Sequence, residues 1–223
     1  PPVNPDRFAK LKAVLDRRQA DLAVVTDQVH KPHNLAAILR TCDAVGIPFV
    51  HAVSATGSLN IAHETSAGSR KWVETTLHPT IEAVYAQLRA RDFRIVAAHF
   101  DETAEDFRAV DFTRPTAVVL GAELDGVSAG AVTAADARVY IPMAGMVQSL
   151  NVSVAAATLL FEAQRQRQAA GCYDQVRLDP ATYHRLLFEW AWPEVAAVYR
   201  RRGWAYPSLG PDGEIRREPS PAD

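Results

Sequence analysis

Three segments of the chain combine side chains capable of chemistry with backbone that can approach a ligand closely. One contains an asparagine and an arginine, one a carboxylate between two glycines, and one a serine followed by an asparagine. Glycine allows close backbone approach, and the carboxylate can anchor its loop or bind a ligand hydroxyl. In chain order the segments are Asn34 with Arg40, Gly121-x-Glu123-x-x-Gly126, and Ser149 with Asn151.

The first segment has the apolar spacing of an amphipathic helix that begins at Asn34, a good N-cap residue. Arg40 follows six residues later, so about 9 Å of helix rise separates the two side chains. A cation inside an otherwise apolar helix suggests a directed role for Arg40. The alternative is a salt bridge on the helix surface with Asp43, three residues further on.

The third segment joins a strand end to a helix through a loop that contains Met143 and Met146. Methionines in a loop form soft apolar surface, which suits a ligand such as an adenine ring. The helix opens at Asn151 and continues with small residues over 153–157. A plain N-cap on a core helix is the alternative interpretation of the same residues.

The elements that must position these segments alternate between apolar runs and helical patterns. Several runs are almost continuously apolar, which indicates strands buried on both faces. We therefore expect an α/β fold with a parallel sheet covered by helices on both faces, and such sheets bind ligands at the carboxyl ends of their strands. The expected strands are 22–29, 49–53, 94–98, 116–120 and one ending at 141–142, and the expected helices are 6–19, 34–46, 81–91, one from 128, 151–169, 180–189 and 193–202.

The same patterns divide the chain into four regions. We expect a basic N-terminal helix over 1–20, the α/β domain over 21–170 and a helical extension over 171–205. The tail over 206–223 is rich in proline and poor in apolar residues, so it is expected to be disordered. The stretch 54–70 is expected to be a loop.

Neither Gly-x-Gly-x-x-Gly nor a Walker Gly-Lys-Ser motif is present, which argues against nicotinamide dehydrogenases and nucleotide hydrolases.

Charge and composition limit the class of protein. The 223 residues carry a net charge of −2 and two cysteines, which indicates a cytoplasmic protein with reduced thiols and no disulfide framework. No apolar run is long enough to cross a bilayer, and no signal peptide is evident. Basic residues are nevertheless grouped, and such groups are either phosphate-binding patches or solvated helix faces. The groups are Lys10, Lys12, Arg17 and Arg18, then Arg165 and Arg167, then Arg200, Arg201 and Arg202.

Taken together, the three segments resemble the motifs of the SpoU, or TrmH-like, branch of the SPOUT RNA methyltransferases. The stretches His30-Lys-Pro-His33 and Phe161-Glu-Ala-Gln-Arg-Gln-Arg167 are similar to those of the branch that methylates the ribose of guanosine 18 in tRNA. The resemblance implies a deep trefoil knot in the carboxyl half of the sheet, a homodimer, S-adenosylmethionine as cofactor and tRNA as substrate. Knots are rare in proteins, so this one is expected only through the resemblance.

The resemblance also implies roles for individual residues. Arg40 has the central catalytic role, assisted by Asn34 and Glu123. Because a guanidinium keeps its proton at neutral pH, Arg40 is expected to hold a phosphate and polarise the hydroxyl. The cofactor is expected to bind at Ala98, Gly121, Ile141, Ser149, Leu150 and Asn151, and RNA at Lys10, Arg17, Arg18, His33, Arg165 and Arg167. No metal is expected, since His30 and His33 without a nearby Cys or Asp are too few ligands for zinc.

Two other functions remain open from the sequence. Ribose methyltransferases that act on ribosomal RNA belong to the same family, but they often carry an additional N-terminal RNA-binding domain. A catalytically silent RNA-binding paralogue is the second alternative. The presence of Asn34, Arg40, Glu123 and Asn151 together argues against it.

Overall fold

The computed structural model describes residues 3–54, 57 and 71–216. The described residues fall into two compact units, one formed by residues 19–173 and the other by the residues before and after that range. The first unit is close to the predicted α/β domain over 21–170. Most of the loop predicted over 54–70 lies outside the described residues.

The unit formed by residues 19–173 is built on a parallel sheet, as the sequence predicted. In the described part of the chain the sheet has seven strands in the order β3-β2-β1-β6-β4-β7-β5, and every neighbouring pair is parallel. The strands are β1 (Leu22–Asp27), β2 (Phe49–Val53), β3 (Glu74–His78), β4 (Arg94–Ala98), β5 (Glu105–Asp106), β6 (Thr116–Leu120) and β7 (Ala137–Tyr140).

Helices cover both faces of this sheet, namely α2 (Pro32–Ala44), α3 (Ile81–Arg89), α4 (Ala129–Ala134) and α5 (Val152–Ala169). Successive side chains of a strand point to opposite faces. On β1, Leu22 and Val24 therefore pack with α2 and α5, whereas Ala23 and Val25 pack with α3 and α4. The continuous apolar runs in the sequence are explained by this burial on both sides.

Two strands were not predicted because their sequences lack an apolar run. β3 is Glu-Thr-Thr-Leu-His at one edge of the sheet and remains partly exposed, and β5 has only two residues at the other edge.

The predicted N-cap of α2 was also wrong. Lys31 holds that position, and Pro32 opens the first turn, where its missing N–H costs no hydrogen bond. Asn34 therefore lies inside the helix, with its side chain free to bind elsewhere.

The second unit contains three helices, α1 (Pro5–Asp16), α6 (Pro180–Ala191) and α7 (Pro193–Arg202). The prediction of disorder after residue 205 was wrong for residues 206–216. The ring of Tyr206 stacks on Phe188 at 4.6 Å, and Trp192 Nε1 donates to the carbonyl of Gly213 at 2.8 Å. Residues 217–223 of the predicted tail lie outside the described residues. Among the helices described, none is long and apolar enough to span a bilayer.

Candidate active site

The candidate site lies at the carboxyl ends of four neighbouring strands, β1, β6, β4 and β7. The chain builds the sheet from β1 towards β3 on one side and then continues on the other side of β1. A crevice forms at such a reversal, and parallel sheets bind their ligands there. Asp27, the buried last residue of β1, accepts a hydrogen bond from the backbone N–H of Ser128 at 2.8 Å. This bond ties the loop after β6 to the end of β1.

The loop after β6 folds back on itself between Gly121 and Gly126. Ala122 and Gly126 exchange two backbone hydrogen bonds, and Gly126 has a φ of 67°. A Cβ on Gly121 would lie 2.0 Å from the carbonyl carbon of Gly126, so no side chain fits at this position. The two glycines of the motif are therefore explained by a tight return that presents Glu123 at its tip.

Glu123 is the centre of a polar cluster that joins the three sequence segments. Its Oε1 accepts from Asn34 Nδ2 at 2.7 Å and from Asn151 Nδ2 at 2.6 Å, and its Oε2 forms an ion pair with Lys31. The side chain of Glu123 keeps 20% exposure, so the cluster is open to solvent and to a ligand. A carboxylate that accepts from three donors is fixed in position.

The orientation of Asn151 follows from its place at the start of α5. It is the N-cap residue, and its Oδ1 accepts from the backbone N–H of Ser153 at 2.8 Å and from Ser153 Oγ at 2.6 Å. With the oxygen committed to the helix, the amide nitrogen has to point towards Glu123. The N-cap interpretation of Asn151 is therefore confirmed, and the same geometry directs its amide nitrogen to Glu123.

A cavity of about 730 Å³ opens beside this cluster at the ends of β4, β6 and β7. Glu123 is part of its wall, so the cavity and the polar cluster share one residue. Five of the six residues expected at the cofactor also line it, whereas Asn151 lies in the polar cluster instead. The five are Ala98, Gly121, Ile141, Ser149 and Leu150.

The cavity has the properties that S-adenosylmethionine requires. Its volume is within the range of roughly 300 to 1,000 Å³ that small-molecule sites occupy. Leu120, Met143 and Leu159 supply apolar wall for an adenine ring, and the close approach at Gly121 leaves backbone rather than side chain facing the cavity. Met146, which was expected to contribute apolar surface for the ligand, is 99% exposed and is not among the lining residues.

Arg40 lies on α2, on the surface of the unit. In the part of the chain that the structure describes, its guanidinium makes no ion pair, so the alternative salt bridge with Asp43 is not formed. A guanidinium that pairs with no carboxylate can bind a polyanionic ligand without first breaking an ion pair.

Lys31 is a component of the site that the sequence interpretation missed. It precedes α2, and its ammonium group pairs with Glu123 across 92 residues of sequence. The signal was present in the stretch His30-Lys-Pro-His33, which was noted for its similarity but not for chemistry. A lysine next to a helix start is common on protein surfaces, so only the fold reveals its partner.

The six residues expected to bind RNA do not share one environment. Lys10, Arg17, His33 and Arg165 are exposed, although Arg165 forms two hydrogen bonds with Glu162, at 2.8 and 2.7 Å. The expectation was wrong for Arg18 and Arg167, because both side chains are fully buried.

In the described residues no group of three or more His, Cys, Asp and Glu side chains could hold a metal ion.

The two buried arginines have structural contacts in place of an RNA-facing role. The guanidinium of Arg18 lies over the ring of Trp190, 5.3 Å from its centroid. Arg167 pairs with Asp21 at 2.6 Å and donates to the carbonyl oxygens of Phe112 and Arg114 at 2.8 and 2.9 Å. Arg167 thereby holds backbone segments together, and full burial keeps both guanidinium groups away from a phosphate at the surface.

Comparison with known proteins gives close relatives over most of the chain. It is 55% identical to the tRNA (guanosine(18)-2′-O)-methyltransferase of Thermus thermophilus over 184 residues, which is 82% of this chain and 95% of that protein. It is 46% identical to the enzyme of the same name from Escherichia coli over 218 residues, which is 97% of this chain and 95% of that protein.

Solved structures share the fold. The A. aeolicus TrmH/SpoU tRNA modifying enzyme matches with a TM-score of 0.80 and 41% identity, over 85% of this chain and 97% of that one. The SpoU methyltransferase AviRb from Streptomyces viridochromogenes, in complex with AdoMet, matches with a TM-score of 0.62 and 30% identity, over 76% of this chain and 66% of that one.

Family profiles agree with these matches. The profile of the SpoU rRNA Methylase family matches residues 21–161, and the profile described as SpoU, rRNA methylase, C-terminal, matches residues 165–218. The three motifs of the sequence meet in one site of the fold that these relatives share. The chain therefore belongs to the SpoU rRNA Methylase family.

Proposed function

We propose that this chain transfers the methyl group of S-adenosylmethionine to the 2′-hydroxyl of guanosine 18 in the D-loop of tRNA. One observation carries the proposal: the cavity at the strand ends and the polar cluster around Glu123 share a wall. A methyl donor in the cavity would lie beside groups that can order a ribose hydroxyl. The names of the relatives at 55% and 46% identity support guanosine 18 of tRNA as the target.

We assign the chemical roles to residues of the polar cluster and to Arg40. When bound, S-adenosylmethionine supplies an electrophilic methyl group on a sulfonium. As the ribose oxygen takes this methyl group, the sulfur–methyl bond would break to leave a neutral thioether and the hydroxyl proton would pass to solvent, so the site must orient the hydroxyl and balance charge. Asn34 and Glu123 order the site, and Arg40 holds a phosphate and polarises the hydroxyl. Arg40 does not take the proton, because its guanidinium is already protonated at neutral pH.

We assign cofactor binding to the cavity and RNA binding to exposed cations. Backbone groups at Ala98, Gly121, Ile141, Ser149 and Leu150 suit the adenine and the zwitterionic tail of the cofactor. Asn151 acts through Glu123 rather than on the cofactor. The RNA phosphates meet the four exposed basic residues Lys10, Arg17, His33 and Arg165. Because Arg165 is paired with Glu162, it has to exchange that partner when RNA binds.

The proposed reaction is tested by locating the methyl group. Purified protein is incubated with labelled S-adenosylmethionine and unmodified tRNA, the RNA is digested, and the labelled nucleoside is identified. The proposal expects 2′-O-methylguanosine at position 18, and a transcript with guanosine 18 replaced by another nucleoside is the control. Label on a base, or label in ribosomal RNA but not in tRNA, would contradict the proposal, and the second result would favour the ribosomal alternative. A cytoplasmic location follows from the tRNA substrate.

We also propose that the carboxyl half of residues 19–173 forms a deep trefoil knot. Two features support a threaded chain here. The return at Gly121 brings backbone against backbone, and α5 buries Ala156 and Ala163 completely, so little side-chain volume separates this helix from its neighbours. A crystal structure traced from β6 to the end of α5 tests the proposal, and an unthreaded path would contradict it.

We propose a homodimer in which α5 contributes to the interface. Val154 and Phe161 on α5 are 49% and 50% exposed and lie seven residues apart, which places them on one face of the helix. Leu159 and Leu160 of the same helix are fully buried in the core. The helix thus has apolar residues on more than one face, as expected for an element that packs against its own core and a second chain.

A further inference from the structure

A row of aromatic rings extends along the second unit and ends in the open at Trp204. Phe188 is buried and stacks on Tyr206, and Tyr199 lies 5.8 Å from Phe188 and 5.6 Å from Trp204, between ring centroids. The Tyr199 and Trp204 rings meet edge to face, with an angle of 83° between their planes. Trp204, the last ring of the row, is 51% exposed.

The position of Trp204 is determined by the end of α7. Gly203 adopts a left-handed conformation with a φ of 65°, and the backbone N–H of Trp204 donates to the carbonyl of Tyr199 at 3.1 Å. Glycine is the residue that adopts this conformation without strain, and the bond closes the last helical turn. The ring of Trp204 is therefore held by its backbone and by Tyr199 while half of its surface remains open.

The surroundings of Trp204 are strongly basic. The guanidinium carbon of Arg202 lies 4.5 Å from the centroid of the Trp204 ring, in the geometry of a cation–π contact. Arg200 is paired with Glu189 at 3.0 Å. Within the described residues, Arg201 and Arg202 pair with no carboxylate. Two cations and one open indole ring therefore form a positive aromatic surface on a chain whose net charge is −2.

Helix stability explains part of this arrangement but not all of it. Basic residues in the last turn interact favourably with the helix dipole, and this accounts for the charges of Arg200 to Arg202. It does not account for a large ring that packs against Tyr199 and is left half exposed. Rigid aromatic rings flanked by arginines are what proteins use to stack unpaired bases while they neutralise the adjoining phosphates.

We propose that Trp204, Arg201 and Arg202 form a stacking site for one unpaired base of the RNA substrate. The base lies on the open surface of the Trp204 ring, and the two arginines contact the phosphates on either side. The inference rests on the proposed function, because it takes the substrate to be a tRNA, whose loops offer unpaired bases. A second copy of the chain or another protein covering Trp204 is the competing outcome.

Trp204 fluorescence tests the proposal directly, because a stacked base quenches an indole. The variants are Trp204→Leu, which removes the aromatic surface, Trp204→Phe, which keeps a smaller one, and Arg202→Met. Arg91→Met is the matched control, because Arg91 also lies over an aromatic ring, but that ring, Phe93, is buried and cannot stack a base. Tryptophan emission and the dissociation constant for unmodified tRNA are measured for each, with thermal unfolding to confirm that each variant is folded.

We expect tRNA to quench the tryptophan emission of the wild type. Trp204→Phe should lose the quenching that arises from Trp204 and keep most of the affinity for tRNA. Trp204→Leu should raise the dissociation constant for tRNA about 5- to 100-fold, as the loss of one stacked base does. Arg202→Met should lower the slope of log affinity against log salt by roughly 0.7 to 0.9. The proposal is overturned if Trp204→Leu binds tRNA with wild-type affinity and shows wild-type quenching. It is also overturned if that variant changes the molar mass of the protein and leaves tRNA affinity unchanged. Methyl transfer to tRNA is measured in parallel for the wild type and Arg91→Met, so a failure of the stacking site is distinguished from a failure of the proposed function.

Discussion

At the scale of residues, arginines with the same charge differ in role because they differ in burial. Arg40 is exposed and pairs with no carboxylate in the part of the chain that the structure describes, so its charge is available to a ligand. Arg167 is fully buried and its charge is used within the fold. The fold therefore leaves the guanidinium of Arg40 open to a ligand and uses that of Arg167 for structure.

Replacing Arg40 by alanine should abolish methyl transfer and leave folding and cofactor binding nearly unchanged. The side chain has no described partner within the protein to lose, so the loss falls on the transition state rather than on stability. The measurement is turnover with tRNA, together with the dissociation constant for S-adenosylmethionine and the thermal unfolding midpoint. Turnover within a factor of about three of wild type would show that Arg40 has no central catalytic role.

Replacing Arg167 by methionine should lower the free energy of unfolding by about 3 to 5 kcal/mol. The variant removes the ion pair with Asp21 and the Arg167 donors to the carbonyl oxygens of Phe112, Asp21 and Arg114. Arg165→Met is the matched control two residues earlier on α5. Its pair with Glu162 is exposed and screened by solvent, so its loss should cost much less stability. Urea unfolding measures both, and equal losses in the two variants would contradict the structural role of Arg167.

At the scale of elements, the return after β6 determines where Glu123 lies. Gly121→Ala should remove methyl transfer and reduce S-adenosylmethionine binding, because the added Cβ would lie 2.0 Å from the backbone of Gly126 and has to open the loop. Gly130→Ala is the control. Its Cβ would meet nothing closer than 3.8 Å, and alanine in α4 should stabilise the helix by up to about 1 kcal/mol. Wild-type binding in Gly121→Ala would show that the loop tolerates a second arrangement.

The contact between β2 and β3 should make stability depend on pH. His51 Nδ1 and His78 Nε2 lie 3.0 Å apart, and both side chains are buried. Burial, and then the charges of His78 and Arg91, lower the pKa of His51 to about 4, and burial also lowers the pKa of His78. The folded state therefore favours the neutral rings. The unfolded chain takes up the proton first as the pH falls, so stability is present above about pH 6.5 and is lost between about 6.5 and 4.

The size of this pH effect can be measured against a variant that cannot titrate. The pKa of about 4 corresponds to about 3 kcal/mol for His51, lost gradually over that range. Urea unfolding at several pH values between 7.5 and 4 should show a shallower decline for His51→Gln than for the wild type. His33→Gln, which replaces an exposed histidine, should keep the wild-type decline. Identical curves for wild type and His51→Gln would contradict the assignment.

At the scale of the whole molecule, the apolar face of α5 predicts assembly. The wild-type protein at micromolar concentration should have twice the molar mass of the chain by light scattering, and Phe161→Glu should shift it towards the single chain. A glutamate in place of Phe161 would bury an unpaired charge at the interface. Val14→Glu replaces a 39% exposed valine on another helix and should leave the mass unchanged. A wild-type mass equal to one chain would refute the dimer.

The sequence by itself determined the α/β class, most element positions and, apart from Lys31, the side chains that meet in the polar cluster. Buried parallel strands require continuous apolar runs, and β1, β4 and β6 show this pattern in the printed letters. The motif glycines and asparagines were identifiable because close backbone return and helix capping each admit few residue types. Elements at the edge of the sheet were missed, since a partly exposed strand such as β3 has no such requirement.

Only the tertiary structure decided which charges face solvent and which face each other. Arg165 and Arg167 are two residues apart on one helix, and the fold exposes the first and buries the second. Lys31 and Glu123 meet only because the ends of β1 and β6 are neighbours. Tyr206 is ordered because its ring stacks on Phe188, although local composition predicted disorder. The partner of a side chain distant in sequence depends on how strands and helices pack, and the letters around one residue carry no information about that packing.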